Sequence, residues 1–305
     1  MSDLPARSGQ AIRGHYRLVG ALEAIASTLR LQLTLADATG SVLGFVWPEH
    51  RPAVELPGIG SAVDVHATVR LHEGRAQLCI ASMRPLTVEA VSCATDLMAD
   101  LHHSGGYLPL RALETGLPDP LRPFLQRVLL DPGIGARLAT CRASARHHHA
   151  DVGGLLRHSL ESLDLIAAIV RRTLPGDADS VGIAQLGYFL HDVGKIWTVG
   201  ADRRPPYHHV IRHETHNLLL LAEHLAWLRD RRPDLHAGLV YVLEYLSLPA
   251  SARPRPRYFP AEVVVQFDQW SAAGFSRRDL RALIAPVGQS SYRPRASHTR
   301  APSSS

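Results

Sequence analysis

The spacing of hydrophobic positions changes character along this chain. Between about residues 16 and 83 they recur every second residue: Leu31, Leu33 and Leu35 alternate with Gln32 and Thr34, and Val63, Val65, Ala67, Val69 and Leu71 alternate with Asp64, His66, Thr68 and Arg70. That period belongs to strands with one buried face. The glycines of Asp37-Ala-Thr-Gly40 and His72-Glu-Gly74 fall where hairpin turns need a positive φ. Strands are expected near 16–28, 30–37, 41–47, 61–72 and 75–83, enough to close a small barrel. Beyond residue 147 the period becomes helical, first through Leu155, Leu156, Leu160, Leu163 and Ile166, then through Ile183, Leu186 and Leu190. It continues over Leu218 to Leu228 and Leu239 to Leu246. Between the two, Leu86 to Ala145 reads as helices broken at Gly105-Gly106, Pro118-Asp-Pro120 and Pro132-Gly133.

The organisation this predicts is multidomain. A flexible arm (1–15) leads into an all-β barrel (16–85), a helical connector (86–145), an all-α domain (146–285) and a disordered basic tail (286–305), where Arg293, Arg295 and Arg300 stand among Pro and Ser without an acid. A length of 305 residues with 46% hydrophobic and 20% charged side chains suits two cores and excludes a disordered chain. No apolar run approaches the roughly 18 residues of a membrane span. With Asp3, Arg7 and Arg13 and no apolar stretch between them, no secretory leader is expected, and a cytoplasmic protein without a membrane partner is the expectation. Cys79, Cys93 and Cys141 are too scattered for a disulfide framework or a thiolate zinc site and read as small apolar fillers. Among 33 basic residues the lone lysine is Lys195. Of 18 histidines, eleven lie between His147 and His236, which is where chemistry is to be sought.

The strongest local signal is His191-Asp192-Val-Gly-Lys195 at the end of the apolar stretch LGYFLHDVGK. Adjacent imidazole and carboxylate at a helix terminus can diverge onto one cation, Gly194 permits close approach, and Lys195 adds a mobile positive charge. Upstream, His158 shares a helical face with Leu155, Ser162 and Leu165 and so points inward. Downstream, His213 and His216 are one turn apart, and Asp268 interrupts the apolar AEVVVQFDQW. Each would be costly to bury alone, and one shared cation removes that cost for all. His213-Glu-Thr-His216 is not a zincin helix, because position 217 is Asn. His208, His209 and His224 are expected in loops or at the surface.

The order H…HD…H…D, with x-G-K after the HD, resembles the HD superfamily of metal-dependent phosphohydrolases. With the segment PLRPFLQRVLLDPGIGARLATCRASARHHHADVGGLLRHSLE and the preceding barrel, it resembles the YhaM-type 3′-to-5′ exoribonucleases over residues 16 to 285. The HHHA-x-x-GGLL-x-H core is also similar to the HD domain of conjugative relaxases of the MobH kind. The resemblance implies His158, His191, Asp192 and Asp268 as metal ligands, with His213 in a further position for which His216 competes. It implies Mn²⁺, with Mg²⁺, Fe²⁺, Co²⁺ or Ni²⁺ as alternatives, and places His148 and His149 beside a phosphate. Asp192 would orient or deprotonate a water, and Lys195 with His148 or His149 would offset charge on the phosphoryl group. One departure stands out: exonuclease-like members carry S-H-H-G where this chain has Val242 to Ser247, leaving Glu244 as the candidate substitute for a second metal.

The barrel resembles an OB-fold of the nucleic-acid-binding anticodon type, chiefly through LTLADATGSVLGFVW. This implies single-stranded RNA or DNA as partner, with Phe45, Trp47, Arg30, Arg70 and Arg75 as contacts. The other reading of the same residues has Phe45 filling the barrel and the arginines merely solvated. Together these expectations describe a metal-dependent phosphodiesterase acting on single-stranded nucleic acid. The rivals are a nucleotide phosphohydrolase and a non-catalytic DNA-binding accessory factor of a mobile element.

Overall fold

The computed structural model describes residues 1, 3–23, 30–144, 149–199, 210–254 and 257–272. Five strands, β1 (Ala11–Glu23), β2 (Leu31–Asp37), β3 (Gly40–Val46), β4 (Ala62–His72) and β5 (Arg75–Pro85), close into a barrel in the order β1-β2-β3-β5-β4. β3 and β5 run parallel and every other pair is antiparallel, the arrangement of an OB-type barrel. The period-two pattern supplies its interior: Leu18, Leu33, Leu35, Val63, Val65, Val69, Leu78 and Ile80 are wholly buried.

β1 starts earlier than its own pattern indicates. Ala11 to Arg17 pair with Thr68 to Ala62 of β4, and Arg13 grips Asp64 there with both Nε and Nη2, at 3.0 and 2.7 Å. Cross-strand pairing, which local alternation does not register, extends the strand. Residues 24–28, expected at its far end, lie outside the described residues.

The connector holds α1 (Leu101–Ser104), α2 (Tyr107–Gly116), α3 (Leu121–Leu130) and α4 (Gly135–Thr140), interrupted at the expected Gly and Pro pairs. Then follow α5 (Gly154–Leu160), α6 (Leu163–Thr173), α7 (Ala178–Leu190), α8 (Lys195–Thr198), α9 (His213–Arg229), α10 (Pro233–Ser247) and α11 (Phe259–Ala272). α7 is apolar on every side and packs against α6, α10 and α11 at the centre of this half, as an all-round hydrophobic helix must. Its first turn is fixed by Asp177, whose carboxylate accepts from the Ser180 N–H at 2.9 Å.

Two expectations need correction. The helix carrying His158 breaks after Leu160 and resumes at Leu163, so Leu165 faces solvent and the shared face proposed for His158 does not exist. His158 is buried nonetheless, against Glu161, Tyr188 and His191. His224 is not a surface group: it is buried on α9 and bonds Asp131 beyond the end of α3 at 2.9 Å.

One arginine joins the halves. Arg17 of β1 is 2% exposed and donates to the carbonyls of Gly60 (2.6 Å), Leu129 (2.9 Å) and Leu97 (3.3 Å). Burial pulls its guanidinium down to about 10, with Asp100 and Asp131 opposing, so the charge persists at neutral pH. Arg17→Met keeps the length of the side chain but leaves those carbonyls without a donor. At about 1–3 kcal/mol for each unsatisfied buried group, it should lower unfolding free energy by ~3 kcal/mol or more in urea titrations. An unchanged midpoint would show that Arg17 does not hold the junction.

Asp131 supports a pH prediction. The His224 hydrogen bond holds its carboxyl below the usual range; burial opposes this, and the Gly133 N–H assists. A depressed folded value means stabilisation that is present above the unfolded value of about 3.9 and lost as pH falls through the folded one. The stability advantage of the native chain over Asp131→Asn should therefore shrink between pH 6 and pH 3. A constant difference over that interval would contradict it.

Candidate metal centre

α7 ends at Leu190, so His191 and Asp192 occupy the turn that follows, and α8 starts at Lys195. Gly194 in that turn is pressed by the start of α9: a Cβ there would lie 2.0 Å from the His213 carbonyl oxygen and 2.8 Å from the His216 Cβ. Asn217 locks the contact, accepting from the Gly194 N–H at 2.7 Å while its own amide donates to the His191 carbonyl. The glycine of the H-D-x-G-K string is thus required by packing, and what packs on it delivers His213 to Asp192.

Each imidazole at the centre is braced from behind. His191 Nδ1 donates to the Tyr188 carbonyl at 2.6 Å, and the Tyr188 ring stacks on it at 5.3 Å. His158 Nδ1 lies 3.1 Å from Glu161 Oε1 and 3.2 Å from Ser271 Oγ. With the proton at Nδ1 in both rings, both Nε2 lone pairs turn inward. The two Nε2 atoms are 3.3 Å apart. Asp268 Oδ1 is 3.2 Å from His191 Nε2, and Asp192 Oδ2 is 3.2 Å from His158 Nε2 and 3.4 Å from His191 Nε2. Ligands bound at about 2.0–2.2 Å are separated by about 3.0–3.5 Å along the edges of an octahedron or tetrahedron. These four distances fall at that spacing, while His158 Nε2 and Asp268 Oδ1 are 4.0 Å apart, so His191 stands at the middle of the group.

Facing lone pairs and carboxylates need positive charge between them. Burial works against a charged His158, yet its bonds to Asp192 and Glu161 push it up to about 9. Burial likewise opposes ionisation of Asp192, but His191, His158, His213 and Lys195 outweigh it and hold the carboxyl well below the usual range. Asp268 is shifted down, against burial, chiefly by His191, and Glu161, also against burial, falls to about 2 through His158 and Ser271. A proton on His158 meets this demand, and so would a divalent cation in its place. Nitrogen and carboxylate donors suit the borderline divalent ions.

The remaining sequence-predicted residues fall at different distances from this centre. His213 Nε2 reaches the other oxygen of Asp192, Oδ1, at 3.0 Å, and is half-buried. His216, its competitor, is fully buried and meets the edge of Trp197 at 5.3 Å. Lys195 Nζ stands 2.5 Å from Asp192 Oδ2. His149 has a left-handed backbone, φ 57°, and its Nε2 bonds Glu161 Oε2 at 3.1 Å. His148, His208 and His209 lie outside the described residues. Glu244 is exposed on α10 and belongs to neither of the described groups suited to a metal, which are His158, His191 and Asp268, and His149, His158 and Glu161. On the barrel, Phe45 faces away from the interior but is only 8% exposed, because the Arg30 guanidinium lies over its ring at 4.7 Å and 5.6 Å from Trp47. Arg70 and Arg75 are exposed beside the β4–β5 turn.

Sequence reading missed Glu161, Tyr188, Ser271 and Asn217. For the first three a signal existed. Glu161 follows His158 by three, Tyr188 precedes His191 by three and Ser271 follows Asp268 by three, so each is a polar group one helical turn from a candidate ligand.

The chain is similar to the 3′-5′ exoribonuclease YhaM. It is 28% identical over 195 residues to that protein of Halalkalibacterium halodurans, which covers 62% of this chain and 59% of the relative. With the Bacillus pumilus protein of the same name it shares 25% identity over 192 residues, 62% of this chain and 60% of the relative. The chain thus spans about three-fifths of the length of the curated relatives it matches. No family model matches it. Solved structures resemble it weakly: a replication protein A heterotrimer bound to single-stranded DNA has a TM-score of 0.21 at 17% identity, covering 25% of this chain and 57% of that one. A putative aspartyl-tRNA synthetase of Leishmania major has a TM-score of 0.26 at 19% identity, covering 41% of this chain and 31% of that one. Among the described residues, no helix is long and apolar enough to cross a membrane.

Gly194→Ala tests the packing. Its Cβ must push the first turn of α9 away from Asp192, so the variant should lose about 1–3 kcal/mol of stability and bind Mn²⁺ more weakly than the native chain. Calorimetric titration with Mn²⁺ and urea denaturation measure the two effects, and native values for both would remove the role given to this glycine.

Proposed function

We propose that this chain is an HD-type metal-dependent phosphodiesterase acting on single-stranded nucleic acid in the cytoplasm, with RNA as first substrate and 3′-to-5′ exonucleolytic digestion as the mode. The observation that carries the reading is the convergence of two Nδ1-braced imidazoles with Asp268 in one group suited to a metal, with Asp192 Oδ2 within 3.4 Å of both rings. Similarity to proteins named for exoribonuclease activity supports the substrate class.

In this reading His158, His191, Asp192 and Asp268 would hold the ion, Mn²⁺ in the first instance, with His213 completing the set. The ion would supply Lewis acidity and a lowered pKa for a coordinated water. The chain's own groups position and shield. Asp192, ionised far below neutral pH, suits ligation and the orientation of a water more than proton abstraction. Lys195, at the rim and 21% exposed, can turn from Asp192 to a phosphoryl oxygen and offset charge there. His149 stands on the far oxygen of Glu161, the carboxylate behind His158. The barrel, taken as a unit over residues 16–85, would hold the strand by its outer face, with the Arg30 guanidinium plane and the exposed edge of Trp47 offered to bases.

The test is cleavage of an end-labelled single-stranded RNA by the full chain with Mn²⁺. Asp192→Ala should lower the rate by about 10³-fold or more, and Lys195→Ala by about 10²-fold, the scale of losing one transition-state donor. A chelator should abolish the activity. Equal cleavage by the native chain and Asp192→Ala, or none by either, overturns the proposal. Turnover of mononucleotides or cyclic nucleotides in preference to oligomers replaces it with a nucleotide phosphohydrolase.

A further inference from the structure

Glu161 belongs with His149 and His158 to one of the two described groups suited to a metal and meets the other through His158, which both share; its place in the fold explains why. It caps the C-terminus of α5, and the chain bends there before Ser162 opens α6. The carboxylate therefore projects where four parts of the molecule meet. Oε1 faces His158 Nδ1 of α5 at 3.1 Å, accepts from Ser271 of α11, and lies 3.4 Å from the Tyr188 hydroxyl of α7. Oε2 takes His149 Nε2 at 3.1 Å from the turn before α5.

That turn is itself held rigidly. The His149 carbonyl accepts from the Ala143 N–H at 3.0 Å, and a Cβ on Gly154 would lie 2.0 Å from the same oxygen. Gly153 is left-handed at φ 74°, and a Cβ there would come 2.7 Å from the Ser104 Cβ. The paired glycines let α5 start hard against His149, whose left-handed backbone then aims its ring at Glu161.

We propose that Glu161 is a positioning residue of the metal centre: one oxygen fixes the tautomer and angle of His158, and the other couples the His149 turn to that ligand. The proposal rests on the metal reading above. A carboxylate behind a ligating imidazole is worth about 10–100-fold in metal affinity. Here the same carboxylate is shared with a second histidine, so the His149 turn and the metal site are mechanically one unit.

The experiment is Mn²⁺ affinity of the full chain by paramagnetic resonance, with the visible absorption of the Co²⁺ form reporting ligand geometry. Glu161→Ala should weaken Mn²⁺ binding about 10–100-fold and alter the Co²⁺ spectrum. Glu161→Gln keeps an acceptor for the Nδ1 proton and should restore part of the affinity. His149→Ala should weaken binding in the native background and have no further effect on top of Glu161→Ala. Native affinity and spectrum in a folded Glu161→Ala overturn the proposal, as does an equal effect of His149→Ala in both backgrounds. If Glu161→Ala does not fold, native behaviour of Glu161→Gln overturns it. Loss of Mn²⁺ binding in Asp192→Ala while both Glu161 variants bind normally sinks this inference alone. A native chain that binds no Mn²⁺ sinks the metal reading with it.

Discussion

Two imidazole Nε2 atoms only 3.3 Å apart, with a carboxylate beside each, form an arrangement that must be bridged by a proton or a cation. Much of the helical half can be understood as the means of enforcing it. α7 is apolar on all faces because it must run through the middle of the bundle to present His191 and Asp192 at its far end. α5 stops after two turns so that His158 and Glu161 share one corner, and the last turn of α11 presents Asp268 and Ser271 to the same corner. Groups that would each be a liability in isolation become tolerable only together, so the position of each of these helices depends on the others.

The barrel obeys a different rule. Its interior is a simple product of alternation, and its attachment to the helices relies on a buried cation rather than on apolar area alone. Arg17 serves carbonyls of the barrel loop at Gly60 and of the connector at Leu97 and Leu129, while Ala62 of β4 belongs to the helical core. A guanidinium is suited to this task because its planar fork satisfies several acceptors and resists deprotonation even when burial lowers its pKa.

What could be read directly from residues was whatever depends on local period. The alternation around Val63 to Leu71 and the interrupted helices of the connector are of that kind, as is the H-D-x-G-K string whose glycine proves to be a packing requirement. What escaped depends on partners distant in sequence. The start of β1 at Ala11 depends on β4, the burial of His224 on Asp131, and the inward direction of His158 on Glu161 and Ser271 rather than on a continuous helical face. Phe45 illustrates the middle ground: its outward position follows from strand alternation, but its cover by Arg30 does not. The bracing residues left only a weak mark, since a Glu, a Tyr or a Ser one turn from a candidate ligand gains its meaning from where that candidate is placed.

Arginine supplies every other basic side chain, so the single ε-amine of the chain is the one standing on Asp192. Apart from the α-amine of Met1, which is itself engaged with Thr39 and Asp37, amine-directed acylation has one address in this sequence. A dye or crosslinker of that chemistry would mark the edge of the cluster without engineering, and its rate of attachment would follow how often the amine is free of the Asp192 carboxylate.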